Sequence, residues 1–113
     1  MDRPCIAFRM QNRAQQLAHI APQMVEDYGD RWNGKFLYAW DDGYRFLARC
    51  RNCGGLILVQ RSDLHSFCAD YDDEYYVDYF PVSSREEALE LNDKYNGDEI
   101  ESALRDVAIF TKF

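Results

Sequence analysis

Met10, Ala14, Leu17, Ala18, Ala21, Met24, Val25 and Tyr28 recur at three- and four-residue intervals, the spacing of one helix face. Asn12 is placed to cap the start and Pro22 interrupts the run, so the pattern predicts a kinked helix, or two short ones, ending at Gly29. Ile6-Ala7-Phe8 ahead of it predicts a short edge strand. The pattern then changes. Aromatic-rich runs at residues 35–40 and 44–49 flank Asp41-Asp42-Gly43, which predicts a hairpin because Asp and Gly accept the positive φ of tight turns. Residues 56–60 and 73–80 predict a third and a fourth strand. Ser84-Arg85-Glu86-Glu87 is a capping box opening a helix that carries Ala88, Leu91 and Tyr95 on one face, with Gly97 at its C-terminus. Asp98 is a cap for a last helix striped by Ile100, Ala103, Leu104, Val107 and Ala108. The expected fold class is α+β, in a single domain over residues 1–113. About four mostly antiparallel strands with a zinc-knuckle hairpin are packed by a kinked N-terminal helix and two C-terminal helices.

The cysteines add chemistry. Cys50-Arg51-Asn52-Cys53-Gly54-Gly55 places a Cys-x-x-Cys turn between two predicted strands, with glycines that let backbone amides face the thiolates. Ser62 can cap a helical turn that projects His65 and Cys68 from one side. Cys50, Cys53, His65 and Cys68 then supply four N/S ligands for a closed, structural zinc site. Cys5 or His19 could replace one of the second pair. Two other readings stand beside zinc. Reduced thiols can pack as small apolar groups. A redox pair is disfavoured, because such pairs sit at a helix N-terminus and here two glycines and a strand follow.

Charge divides the chain. The net charge of 113 residues is −7, with 47% hydrophobic and 15% aromatic residues, which excludes wholesale disorder. Residues 1–61 hold nine Lys/Arg against six Asp/Glu, a balance of +3, and residues 62–113 hold four against fourteen, a balance of −10. No Lys or Arg lies between Arg61 and Arg85, where Asp70, Asp72, Asp73, Glu74 and Asp78 interleave with Tyr71, Tyr75, Tyr76 and Tyr79. Carboxylates in a row can satisfy the Arg and Lys side chains that otherwise neutralise phosphates, and Tyr is enriched at interfaces. These nine residues are the candidate partner-binding surface, unless they form only a solvated face. Around the knuckle, Arg45, Arg49, Arg51 and Arg61 offer an alternative basic surface, with Arg45, Leu47 and Arg49 on one side of their strand.

Several classes are disfavoured. The chain has no phosphate-binding glycine loop, no Gly-x-Ser-x-Gly elbow and no His-Glu-x-x-His, so it is not expected to be an enzyme. No apolar run approaches the roughly 20 residues of a membrane span. The start, Met1-Asp2-Arg3-Pro4-Cys5, lacks a charged-then-apolar signal layout, so a cytoplasmic location is expected.

The knuckle Cys50-Cys53-Gly54-Gly55, the segment Tyr75-Tyr76-Val77-Asp78-Tyr79-Phe80-Pro81-Val82 and the helix start Ser84-Arg85-Glu86-Glu87-Ala88 carry a resemblance. Residues 44–101, about half of the chain, resemble small zinc-knuckle proteins of bacterial mobile elements; the likeness implies no particular activity. In size, acidity and aromatic interleaving the chain is similar to anti-CRISPR proteins. The leading expectation is a non-catalytic inhibitor that binds the basic surface of a nucleic-acid-handling protein, such as a Cas nuclease, by mimicking nucleic acid. It would not bind nucleic acid itself. The alternative is a zinc-ribbon-like adaptor or regulator whose basic hairpin contacts nucleic acid or protein.

Overall fold

In the computed structural model, residues 2–35, 39–66 and 74–112 are described. A 3₁₀ turn (Ile6–Arg9) and helix α1 (Arg13–His19) precede strands β1 (Pro22–Lys35), β2 (Ala39–Cys50), β3 (Leu56–Ser66) and β4 (Glu74–Pro81). Helices α2 (Arg85–Lys94) and α3 (Gly97–Ala103) follow, and β5 (Ile109–Lys112) ends the chain's described part. The strands form one antiparallel sheet in the order β1-β2-β3-β4-β5.

This overturns the expectation of four strands packed by a kinked N-terminal helix. Asn12 does cap α1, its Oδ1 accepting from the Gln15 amide at 3.1 Å. The helix then stops at His19, because the residue before a proline is driven out of helical conformation. Pro22 begins a strand instead. Register shifts at Met24/Glu26, Asp27/Gly29 and Trp32/Gly34 insert extra residues into β1, so its two-residue alternation reads as a three- and four-residue one. Gly29 takes φ +80° at one such shift, its amide donating to Asp27 Oδ1. Met24 and Val25 are half exposed and form no core stripe.

Other local expectations also change. Asp41, Asp42 and Gly43 lie inside β2, paired with Leu64, Asp63 and Ser62 of β3, and are not a turn. Ile6–Arg9 is a 3₁₀ turn, not a strand. β3 runs on through Ser66, so Ser62 caps no helical turn. Ser84 caps α2 as expected, its Oγ accepting from the Glu87 amide at 3.1 Å. Gly97 opens α3 rather than closing α2, and the cap position belongs to Asn96, not Asp98, with Glu99 accepting the Asn96 amide. The last apolar stripe is not one helix face: α3 ends at Ala103 with Ile100 buried, Val107 is half exposed, and the β-branched and aromatic Ile109-Phe110-Thr111 that follow form a fifth strand, β5.

Both faces of the sheet are covered, which is why Leu56-Ile57-Leu58-Val59 is an unbroken apolar run. One face packs Ala48, Cys50, Ile57 and Val59 against Cys5 and Ala7 of the N-terminal segment. The other packs Leu47, Leu58 and Phe80 against Ala88 of α2 and Ile100 of α3. Arg85 clamps α2 to β1 through paired bonds to Glu26, at 2.7 and 2.8 Å.

The second face also holds a polar ladder across β2, β3 and β4. Arg45 is fully buried; its Nε donates to Gln60 Oε1 at 2.7 Å and its Nη1 to Tyr95 O at 2.7 Å and Asn92 O at 3.3 Å. Its charge therefore rests on the last carbonyls of α2, the negative end of the helix dipole. Gln60 Nε2 donates to Gly97 O at 3.0 Å and to Asp78 Oδ2 at 3.4 Å.

Candidate metal centre

The Cys50–Cys53 turn joins β2 to β3. Gly54 takes φ +75°, a conformation that L side chains resist. Its amide donates to Cys50 O, and the Cys50 amide donates to Gly55 O, each at 2.8 Å. Gly55 serves a different purpose. A Cβ there would lie 2.5 Å from Cys5 Cα and 2.6 Å from Cys5 N, so only glycine lets the N-terminal segment run against the turn. That segment pairs in parallel with the start of β3: Cys5 N donates to Leu56 O at 3.0 Å and Leu56 N to Arg3 O at 2.8 Å. Two side chains reinforce it. Arg3 Nη2 donates to Cys53 O at 2.7 Å, while Arg49 Nη1 bonds both Gly54 O at 2.8 Å and Asp2 Oδ1 at 3.2 Å. The end of α1 is fixed from the same turn, where Asn52 Nδ2 donates to His19 O at 2.6 Å and Arg51 N to Ala21 O at 2.9 Å.

These pairings bring Cys5, His19, Cys50 and Cys53 together, with one ligand atom of each lying within 4.8 Å of all the others. The Sγ atoms of Cys5 and Cys53 are 3.6 Å apart, and the three cysteines are free thiols. Tetrahedral zinc with bonds near 2.3 Å sets its sulfurs about 3.8 Å apart. Cys5 and Cys50 are buried, and His19 Nε2 is buried without a hydrogen-bond partner. An orphaned imidazole nitrogen beside three thiols is a costly arrangement that a bound cation removes. The set can hold a metal ion.

The electrostatics match that use. Burial pulls the Cys53 thiol up, but the His19 ring, the Ile6 and Gly55 amides and the Arg3 guanidinium outweigh it and bring Cys53 down to about 5. Burial pushes Cys5 up to about 12, against the Ala7 amide, with the Cys53 and Cys50 sulfurs adding to the rise. A dication among them would favour the thiolate throughout. Three thiolates, a neutral imidazole and a dication leave one negative charge, and Arg3, 3.9 Å from Cys53 Sγ, offsets it.

Of the residues read from the sequence, Cys50 and Cys53 belong to this cluster. Its other two members are Cys5 and His19, which make four donors among the described residues. His65 lies on β3, paired with Trp40, toward the end away from the Leu56 start; Cys68 falls outside the described residues.

The expected partner surface divides. Asp70, Tyr71, Asp72 and Asp73 lie outside the described residues, and Glu74 begins β4. Asp78 is buried beneath the helix-covered face rather than displayed with the others. Burial, with Glu101 as its hydrogen-bonding and like-charged neighbour, pushes its carboxyl up to about 8 against the opposing Gln60 bond. Tyr79 is half-buried against the cysteine-bearing face, and burial raises its hydroxyl above the usual range. The Tyr75 ring lies 4.3 Å beneath the Arg61 guanidinium, and Lys112 approaches the Tyr76 ring at 5.9 Å. The alternative basic hairpin loses Arg45 to the interior; Arg49 and Arg51 are exposed. No helix among the described residues is long and apolar enough to cross a membrane.

No family model, no curated protein and no solved structure matches this chain.

Proposed function

We propose that the chain is a non-catalytic inhibitor, stapled by structural zinc, that turns an acidic sheet end toward a basic surface of a nucleic-acid-handling protein, with a Cas nuclease as the leading target. Zinc suits the cluster because three sulfurs and one imidazole make a closed tetrahedral set with no position left for substrate. The metal then fastens the N-terminal segment and α1 to the β2–β3 turn. This division of labour leaves the other end of the strands to make contacts.

The observation that carries the reading is the register there. Asp42 of β2 stands directly opposite Asp63 of β3, and Glu74 of β4 opposite Leu64. The register thus gathers three acidic positions on adjacent strands at this end of the sheet, a charge pattern complementary to a basic partner. Between Ser66 and Glu74 the sequence adds Asp70, Asp72 and Asp73 to the same stretch.

The test is target-DNA cleavage by a panel of guide-loaded Cas nucleases. Wild-type protein is expected to inhibit at least one of them in a salt-sensitive way, with added duplex DNA competing. Lys substitutions at Asp72, Asp73 and Glu74 together are expected to abolish inhibition while zinc content stays unchanged. Undiminished cleavage across the panel, together with a DNA mobility shift by the protein itself at physiological salt, would overturn the reading in favour of direct nucleic-acid contact.

A further inference from the structure

A cavity of about 510 Å³ opens on the helix-covered face beside β5, well within the size range of small-ligand sites. Register puts Asp78 opposite Phe110 and Tyr76 opposite Lys112, so these residues share one face of the β4–β5 pair. Glu101 and Arg105 reach the cavity from α3 and the residues just after it, while Arg13 of α1 comes round the sheet edge and donates to Phe110 O. Three cations therefore line a cavity in a protein whose net charge is −7. Among the described residues, the acidic groups in the lining are Asp78 and Glu101.

Arg13, Arg105 and Lys112 outnumber the two carboxyl groups, and burial together with the neighbouring Glu101 pushes the Asp78 carboxyl up, which disfavours its charged form. The excess of positive charge suits a phosphate better than a carboxylate, which carries a single charge. Two of the three are arginines, whose planar forks bind phosphate oxygens in pairs. The two carboxyl groups beyond them are suited to sugar hydroxyls, as acidic residues in nucleotide sites bond ribose.

We propose that this cavity binds a phosphate monoester carried on a hydroxyl-bearing body, a sugar phosphate or a nucleoside monophosphate. The lining shares no residue with the metal centre, and the proposal does not depend on the inhibitor reading.

Isothermal titration of the full, metal-loaded chain with ribose 5-phosphate, a nucleoside monophosphate and inorganic phosphate tests this. Saturable binding of one of the two esters is expected, and whichever binds more tightly identifies the body. Arg105 and Lys112 are exposed, so Arg105→Gln and Lys112→Gln should leave the melting temperature unchanged. Each should weaken the ester by about tenfold, the loss of one charge-assisted bond. Glu101→Gln should weaken the ester but not inorganic phosphate. No saturation with either ester would overturn the proposal, as would affinities that the Arg105 and Lys112 variants leave unchanged. Inorganic phosphate binding as tightly as both esters would equally overturn it, since the site would then read charge alone.

Discussion

Replacing Gly55 by alanine would place a Cβ 2.5 Å from Cys5 Cα, with Cys5 N at 2.6 Å and the Pro4 carbonyl carbon at 2.8 Å. Carbon atoms pack at about 3.5–4.0 Å, so the N-terminal segment would have to withdraw by about 1 Å. All three obstructing atoms are backbone, and no side-chain rotation relieves them. The withdrawal would strain or break the two bonds joining Arg3 and Cys5 to Leu56, at about 1 kcal/mol each. A shift of this size also exceeds the roughly 0.2 Å tolerance of a metal–ligand bond. The expected result for Gly55→Ala is about 2 kcal/mol lost in chemical denaturation of the metal-free protein, and zinc affinity about 10–100-fold weaker by competition with a chelating dye. Gly54→Ala is the control. Its Cβ would meet nothing within 4 Å but would sit at φ +75°, so it should cost about 1 kcal/mol with a smaller loss of affinity. Wild-type zinc affinity in Gly55→Ala would refute the claim that the N-terminal segment supplies a ligand.

Further outcomes follow from the interior. Arg45→Met should destabilise by about 3 kcal/mol in urea denaturation, because Gln60 Oε1 and Tyr95 O lose a buried donor; a merely solvated arginine there would cost almost nothing. Asp78→Asn should stabilise the protein increasingly as pH rises from 4 to 8. Its carboxyl is raised from 3.8 to about 8 on folding, so the folded state holds a proton that the unfolded chain has released; stability from this group is full below about pH 4 and falls until the folded group ionises. Melting curves for both proteins across that range check it, and parallel pH profiles would contradict it. Ser84→Ala should cost about 1 kcal/mol through loss of the α2 cap, read by thermal melting.

What the sequence disclosed was mostly local. The Cys50–Cys53 turn, its two glycines, the Asn12 and Ser84 caps and the extended character of residues 44–49 and 56–60 were legible because each depends on neighbours a few positions apart; the hairpin expected at Asp41-Asp42-Gly43 was not there, since those residues continue β2. Cys5 and His19 were visible only as substitutes for one ligand. What places them is the pairing of Arg3 and Cys5 with Leu56 and the hold of Asn52 on the end of α1, contacts spanning some thirty to fifty positions. β1 looked helical because its bulges disguise a two-residue alternation. Arg45 and Asp78 looked like surface charges because a charged residue on a strand normally marks a wet face; here helices cover that face, and Gln60 bonds both.

The central claim is that Cys5, His19, Cys50 and Cys53 form one metal centre. Zinc content per chain, measured on protein purified without added metal for the wild type, Cys5→Ser and Cys68→Ser, tests it most directly. One equivalent in the wild type and in Cys68→Ser, with less than about half an equivalent in Cys5→Ser, is the predicted result. Zinc retained in Cys5→Ser and lost in Cys68→Ser would contradict it.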